Sequence, residues 1–161
     1  IWVQKLSGTQ TKLLDTRKTI PLFRQAQKYA VCCGGAHNHR LGLYDAFLIK
    51  ENHIISVGSL TKAIAAAKKI AADKTIEVEV ENLAQLNEAI EAGSTWVMLD
   101  NFDLETIKIA VKLNQNRVKL EVSGAVSLDH IAEIAATGVD FISVGALTKH
   151  IHAIDLSMRF F

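Results

Sequence analysis

The 161-residue sequence has little of what marks several large classes of protein. It contains one proline and two cysteines, and no stretch approaches the roughly 18 apolar residues that span a membrane. Residues 1–5 lack the form of a signal peptide. The 18 Lys plus Arg residues nearly balance the 17 Asp plus Glu residues, so the net charge of +1 gives no general attraction to nucleic acid. We therefore expect neither a nucleic-acid nor a membrane partner.

The two cysteines, Cys32 and Cys33, are neighbours in the chain. Adjacent cysteines are poorly placed to bridge each other, which indicates a reduced, cytoplasmic protein. Together with His37 and His39 they suggest a zinc site, but their spacing matches no zinc pattern. A cysteine pair of this kind is more often part of a core, and we expect that here.

The composition is that of one packed domain over residues 1–161, because 49% of the residues are hydrophobic and only 22% are charged. Short runs rich in β-branched residues alternate with longer segments of helical periodicity. The predicted strands cover residues 12–15, 47–50, 75–80, 95–100, 118–122 and 140–144.

Helix boundaries are marked by residues that favour them. Four segments of helical periodicity, the first of them 60–72, are each preceded by a residue whose side chain can accept a hydrogen bond from the first helical turn. Two of the four segments are followed by a glycine, which favours the end of a helix. The predicted N-terminal caps are Ser59, Asn82, Asp103 and Ser127, and the predicted stops are Gly93 and Gly138.

Strands that alternate with helices predict an α/β fold with a parallel sheet, either doubly wound or closed as a barrel. Polar residues fall at or just past the C-terminal ends of the strands, which is where the mouth of a (β/α) barrel carries its chemistry. Six strands are too few for a complete barrel. We predict an incomplete or reduced (β/α) barrel of about six to seven parallel strands.

Several side chains that can be cationic lie near these strand ends. Arg17 and Lys18 follow the first strand, and Lys50 ends the second. His39 and Arg40 lie in a glycine-containing segment, 33–45, that we expect to form a turn or a short hairpin. Surface salt bridges are the alternative for Arg17 and Lys18. The combination favours a site for carboxylates and phosphates.

Acidic residues lie on the strands themselves. Glu77, Glu79 and Glu81 alternate and so share one face, which is either solvated or directed into the barrel. Glu79 and Asp100, near the ends of neighbouring strands, are candidate ligands for Mg²⁺. The alternative for Asp100 and Asn101 is a strand-end turn or a helix cap.

Small residues end the last two strands, where barrels often bind phosphate through backbone N–H groups at helix starts. They occur in two segments, 123–125 and 144–146. The candidates are Ser123, Gly124, Ala125, Val144, Gly145 and Ala146.

Long motifs in this sequence resemble those of quinolinate phosphoribosyltransferase along nearly the whole chain. They include Asp-Thr-Arg-Lys-Thr at 15–19, the glycine-containing segment at 33–45 and Leu-Ile-Lys-Glu-Asn-His-Ile at 48–54. Further matches are Glu-Val-Glu-Val-Glu-Asn at 77–82, Met-Leu-Asp-Asn-Phe at 98–102, and the segments 122–126 and 142–148.

The resemblance implies transfer of a phosphoribosyl group from phosphoribosyl pyrophosphate to quinolinate, giving nicotinate mononucleotide, pyrophosphate and CO₂ in NAD biosynthesis. It implies that five residues bind the quinolinate carboxylates: Thr16, Arg17, His39, Arg40 and Lys50. It assigns Lys18, Glu79 and Asp100 to the ribose, the pyrophosphate and Mg²⁺, with Glu79 and Asp100 as metal ligands. The resemblance also implies that the small residues 123–125 and 144–146 bind the 5-phosphate. The catalytic residues that it implies are Lys18, Lys50, Glu79 and Asp100.

The sequence also departs from the family pattern. Leu22 and Ala36 stand where the family usually has glycine. The family's N-terminal α/β sandwich domain, which gives an arginine to the neighbouring subunit's site, is expected to be missing, and the family forms dimers or oligomers of dimers. Two other hypotheses are a phosphate-binding barrel fragment without catalysis and a lyase that uses Lys50 as a Schiff base.

Overall fold

The structure, a computed structural model, describes residues 1–161 and contains one sheet of six parallel strands. All six predicted strands are present, with ends that differ from the prediction by at most one residue. They are β1 (Lys12–Leu14), β2 (Ala46–Ile49), β3 (Thr75–Val80), β4 (Trp96–Asp100), β5 (Lys119–Ser123) and β6 (Phe141–Ser143).

Seven α-helices and one 3₁₀ helix (Val3–Leu6) accompany the strands, and none is long and apolar enough to cross a membrane. The sequence analysis did not predict the first, second and last α-helices. The α-helices are α1 (Arg24–Cys33), α2 (Glu51–Val57), α3 (Leu60–Ile70), α4 (Leu83–Glu91), α5 (Leu104–Asn114), α6 (Ile131–Ala136) and α7 (Ala146–Lys149).

Three of the four predicted caps are confirmed, because Ser59, Asn82 and Asp103 each accept a backbone N–H from the first turn of α3, α4 and α5. The prediction for Ser127 is wrong. Three residues of turn separate it from α6, and its hydroxyl lies 3.2 Å from the ring of His130, the residue that precedes the helix.

The strand order, β1-β6-β5-β4-β3-β2, distinguishes a barrel from a doubly wound sheet. A doubly wound sheet reverses its order partway across, whereas β2 to β6 follow chain order here and β1 lies beside β6. The sheet is open between β1 and β2, where His37 forms a single parallel bridge with Leu14. The predicted incomplete (β/α) barrel is confirmed.

The two faces of the sheet differ in polarity because side chains alternate along each strand. Residues such as Val78, Leu99 and Val122 are fully buried against the helices and form the apolar core with them. Burying each such side chain contributes about 1.5–3 kcal/mol. The other face includes Glu77 and Glu121, so the interior of the barrel is polar.

Residues 33–45 form a series of turns rather than a hairpin. The Asp45 carboxylate accepts N–H bonds from Leu41 (2.6 Å) and Gly42 (3.3 Å), which close the segment. Cys32 and Cys33 are free and exposed at the end of α1, so the expectation that they are core residues is wrong. The buried residues of that helix are polar instead, as described below.

Leu22 occupies the third position of a tight turn in which the N–H of Phe23 donates to the carbonyl of Ile20 over 3.0 Å. The φ of Leu22 is 64°, in the left-handed region. A turn with proline in second position requires this conformation at the third position, where glycine is usual. The side chain of Leu22 is fully exposed. No packing therefore compensates for the conformational strain.

We expect Leu22→Gly to stabilise the protein. The left-handed conformation costs an L-residue roughly 1–2 kcal/mol, and the freedom that glycine gains in the unfolded chain offsets part of it. Urea unfolding should show a gain of about 0.5–1 kcal/mol. Leu22→Ala, which removes the exposed side chain but keeps the Cβ, should show no gain. Equal gains from both variants would contradict the explanation.

Candidate active site

A cavity of about 610 Å³ opens at the C-terminal edge of the sheet. Both ends of the open sheet and the segment between β1 and β2 contribute to it, which shows how strongly the sheet curves. The lining residues are Thr16, Arg17, Lys18, His39, Arg40, Leu48, Lys50, Glu79, Met98, Asp100, Asn101, Ser123, Gly124, Ser143 and Gly145.

Eleven of the fourteen candidate residues from the sequence analysis line this one cavity. The other three do not: Val144 is buried in the outer core, Ala125 is exposed, and Ala146 begins α7. Sequence reasoning missed Leu48, Met98, Asn101 and Ser143. The signal for three of these was available, because Leu48, Met98 and Ser143 each lie two residues before a predicted site residue.

A buried carboxylate positions the first part of the site. Asp15, which follows β1, has 0% exposure and forms an ion pair with Lys28 of α1, itself 2% exposed. Its Oδ1 accepts the backbone N–H of His39 (2.8 Å), and its Oδ2 accepts the side-chain amide of Asn38 (2.6 Å). Asp15 therefore connects the end of β1, helix α1 and the segment that carries His39.

A second set of hydrogen bonds holds the loop after β1. Gln27 of α1 accepts the N–H of Ile20 and donates to the carbonyl of Thr148, both over 2.7 Å. Thr148 in turn donates to the carbonyl of Lys18 over 2.7 Å. Since Thr148 belongs to α7, the loop that presents Arg17 and Lys18 is fixed to both helices beside it.

Three cations of the cavity have no carboxylate partner. Arg17, Lys18 and Arg40 form no salt bridge, which excludes the surface ion-pair alternative for the first two. The Nε of Arg17 is buried without a hydrogen-bond partner. Burial and the like charge of Arg17 lower the pKa of Arg40. Neighbouring cations without partners indicate a site for an anionic ligand.

The carboxylates of the cavity lie on β3 and β4. Glu79 forms an ion pair with Lys50. Asp100 accepts a hydrogen bond from the Asn101 amide over 2.8 Å, and because α5 is capped by Asp103, the cap alternative for Asp100 and Asn101 is excluded. Two carboxylates at an open mouth fit Mg²⁺, which typically takes one or two carboxylates together with substrate phosphates.

The floor of the cavity contains a buried cluster of His39, Glu77 and Glu121. Nε2 of His39 lies 3.0 Å from Glu77 Oε2 and 3.4 Å from Glu121 Oε2. Burial alone would lower the pKa of His39, but the nearby carboxylates of Glu121 and Glu77 raise it to about 10. Burial raises the pKa of Glu77 to about 7, against the lowering effect of His39.

The other ring nitrogen of His39 also faces the protein. The backbone N–H of Arg40 donates to Nδ1 over 2.8 Å, so protonation of Nδ1 would break that bond. The carboxylates and the Arg40 N–H therefore have opposing effects on the charge of the ring. In either charge state Nε2 carries a proton that faces the two carboxylates.

The small residues of the last two strands leave room at the opposite wall. Gly124 has a φ of 122°, and a Cβ there would collide with the Asn101 amide. At Gly145 a Cβ would lie 3.4 Å from Lys18 Cδ and 3.7 Å from Thr16 Oγ1. Gly145 directly precedes α7, whereas Gly124 lies seven residues before α6. Only the loop at Gly145 therefore leads directly into a helix. The expectation that Ser123 and Gly124 also lie beside a helix start is wrong.

These features define the class of protein: a (β/α) barrel whose strand ends surround a cavity lined by cations without carboxylate partners. A family model described as "Quinolinate phosphoribosyl transferase, C-terminal domain" matches residues 1–159. The chain belongs to that family.

Named relatives agree with this assignment. The chain is 44% identical to the carboxylating nicotinate-nucleotide pyrophosphorylase of Mycobacterium leprae over 98% of this chain and 56% of the relative. It is 46% identical to the probable enzyme of that name from Methanocaldococcus jannaschii, over 96% of this chain and 57% of the relative. The chain thus spans about half the length of the curated relatives it matches.

Solved structures show the same similarity. The nicotinate-nucleotide pyrophosphorylase of Francisella tularensis superimposes with a TM-score of 0.94 at 62% identity, over 97% of this chain and 56% of that chain. A thiamine phosphate pyrophosphorylase from Pyrococcus furiosus, at 18% identity and a TM-score of 0.56, shares the fold alone.

We expect Asp15→Asn to destabilise the protein by about 3–5 kcal/mol, because it leaves the Lys28 ammonium buried without a counter-charge. Urea unfolding measures the change. The matched control is Glu105→Gln, which removes the exposed Glu105–Lys108 pair and should cost about 0.5 kcal/mol or less. Similar losses of unfolding free energy in the two variants would show that burial does not make the Asp15–Lys28 pair more important than an exposed pair.

Proposed function

We propose that this chain forms the catalytic barrel of a carboxylating nicotinate-nucleotide pyrophosphorylase, which converts quinolinate and phosphoribosyl pyrophosphate to nicotinate mononucleotide, pyrophosphate and CO₂. One observation carries the proposal. A single cavity brings the unpaired cations Arg17, Lys18 and Arg40 together with the carboxylates Glu79 and Asp100. The printed names of the relatives, which are about twice as long as this chain, support the same activity.

The cationic side of the cavity suits quinolinate, a pyridine with two adjacent carboxylates. Arg17 and Arg40 can each form two parallel hydrogen bonds with a carboxylate, and Lys50 adds a point charge. Thr16 and His39 complete this subsite. Uncharged pyridines and monocarboxylates would leave at least one of the cavity cations without a partner, so the site should bind them less well.

The other side of the cavity suits phosphoribosyl pyrophosphate. Lys18 lines the cavity beside Gly145, where it can neutralise a phosphate group. Glu79 and Asp100 would hold Mg²⁺, which neutralises the charge of the departing pyrophosphate when bound. The backbone at Gly145, where the nearest atom would lie 3.4 Å from a Cβ, leaves space for the 5-phosphate.

The chemistry follows from these positions. The bond between ribose C1 and pyrophosphate breaks with its electron pair leaving on pyrophosphate, and nearby carboxylates stabilise the positive charge on the ribose. The pyridine nitrogen then bonds to C1 and becomes cationic. The C2 carboxylate leaves as CO₂, its bonding electrons remain on C2 beside the positive nitrogen, and C2 takes up a proton. The remaining carboxylate stays bound by the cations.

Two alternatives are less well supported. A Schiff-base lyase needs a lysine that is free to attack a carbonyl group, whereas Lys50 is held in an ion pair with Glu79. A barrel that binds phosphate without catalysis would not need the quinolinate subsite.

We also propose that the protein is cytoplasmic, because Cys32 and Cys33 are free thiols. The family resemblance supports a dimer or an oligomer of dimers.

A turnover assay tests the proposal. The full-length protein, incubated with quinolinate, phosphoribosyl pyrophosphate and Mg²⁺, should release CO₂ and form nicotinate mononucleotide in equal amounts. Binding of both substrates without turnover would instead support the non-catalytic alternative. Covalent trapping of a carbonyl compound on Lys50 by borohydride would support the lyase.

Replacing Asp100 with Asn should separate the two substrates. The change keeps the size of the side chain but removes a charge that the metal needs. We expect Mg²⁺-dependent affinity for phosphoribosyl pyrophosphate to fall about tenfold or more, roughly 1.4 kcal/mol, while quinolinate affinity is retained. Calorimetry measures both affinities, and Glu105→Gln is the control. Equal loss of the two affinities would indicate that Asp100 is structural.

Gly145→Val should weaken nucleotide binding selectively. Gly145 has an ordinary φ of −66°, so a side chain is compatible with the backbone, but its methyl groups would enter the proposed phosphate space. We expect nicotinate mononucleotide affinity to fall far more than quinolinate affinity, with Gly145→Ala intermediate. Unchanged nucleotide affinity in the folded Val variant would place the phosphate elsewhere.

A further inference from the structure

Two carboxylates lie inside the barrel, one layer below the cavity, and the proposed reaction gives them no role. Glu77 precedes Glu79 by two residues on β3, and Glu121 precedes Ser123 by two residues on β5. Glu77 and Glu121 are 3% and 0% exposed, and Oε1 of each has no hydrogen-bond partner. Burying two carboxylates is costly. The presence of Glu77 and Glu121 therefore calls for a functional explanation.

The two carboxylates lie close to one imidazole, from the strands on either side of β4. As described above, both lie within 3.4 Å of Nε2 of His39. Trp96 of β4 donates its indole N–H to Glu121 Oε2 over 3.2 Å and stacks on Phe141 at a centroid distance of 4.2 Å. The ring of His39 is thus anchored to rigid strands, although His39 itself lies in a segment without regular structure.

The His39 ring also contacts the backbone of Arg40. Because the N–H of Arg40 donates to Nδ1, rotation of the imidazole would release the backbone at the residue that carries a cavity guanidinium. Arg40 also donates from Nη1 to the carbonyl of Ala46 over 3.2 Å. A continuous series of contacts therefore links Glu77 and Glu121 to Arg40 through His39.

We propose that Glu77 and Glu121 are positioning residues for the cationic subsite, acting through the His39 ring on Arg40. The proposal rests on the proposed function only for the identity of the ligand, quinolinate. A metal ion in the same cluster is the competing interpretation, since the three ligand atoms lie within 4.8 Å of one another. The Trp96 N–H already donates to Glu121 Oε2, and the Arg40 N–H on Nδ1 leaves the ring proton on Nε2, the nitrogen that a metal would need, which favours a cluster without a metal.

Glu121→Gln in the full-length protein is the main test. The amide keeps the size of the side chain and an acceptor for Trp96, but it no longer attracts the His39 proton. We expect the KM for quinolinate to rise about tenfold. The KM for phosphoribosyl pyrophosphate should change less than about twofold. Glu133→Gln, on the exposed face of α6, is the matched control and should change neither value.

A double variant tests whether the effect passes through the histidine. If Glu121 acts through His39, adding Glu121→Gln to His39→Asn should cause no further loss. Additive losses would overturn the proposal, as would an equal rise of both KM values with a lower melting temperature. Stoichiometric zinc in the purified wild-type protein would also overturn it in favour of a metal site. If Glu121→Gln does not fold, Glu77→Gln takes its place in the same measurements.

Nuclear magnetic resonance separates this proposal from the activity. The Nε2–H of His39 should exchange slowly with solvent in the wild-type protein and at least about tenfold faster in Glu121→Gln. Equal exchange rates would overturn the proposal whatever the turnover assay shows. Protection of this proton in a protein without turnover would support the positioning role while the proposed function fails.

Discussion

The arrangement of the site depends on one buried carboxylate, Asp15. It lies at the end of β1, where the open barrel has a free edge, and it pairs with Lys28 of α1 while accepting the N–H of His39. A charge in this position needs all of its partners, because a buried carboxylate without them is strongly unfavourable. The same requirement fixes the helix and the irregular segment that follows it relative to the strand.

The rest of the site depends on a division between the two faces of the sheet. Outward-facing residues such as Val78 and Leu99 pack against the helices and supply the hydrophobic stabilisation. This core leaves the inward face free to hold polar groups in a fixed scaffold, from Glu77 and Glu121 on the floor to Asp100 at the mouth. Cations that are held in place without partners suit the anionic ligand that we propose.

Much of this could be predicted from the sequence. The alternation of strands and helices, with polar residues at strand ends, predicts both the barrel and the cavity, because the C-terminal ends of parallel strands converge. Lys50, Glu79 and Asp100 were found in this way. The motifs of the resemblance added the family and the ligand that we propose.

Contacts between distant parts of the chain could not be predicted. The pattern of α1 gives no sign that Lys28 will be buried, since its counter-charge lies 13 residues earlier, just after β1. Glu121 looks like an ordinary strand residue until the curvature of the sheet brings it to His39. Ser127 precedes a helical pattern, but the local backbone forms a turn before the helix begins. Side-chain polarity and spacing carry no information about such three-dimensional neighbours.

The central claim is that Asp15 and the polar floor of the barrel hold a cationic subsite ready for two adjacent carboxylates. A crystal structure of the full-length protein with quinolinate bound tests it most directly. We predict both carboxylates in contact with Arg17, Arg40 and Lys50, with residues 37–40 in the positions described above. Quinolinate bound outside this cavity, or bound only after residues 37–40 move away from Asp15, would contradict the claim.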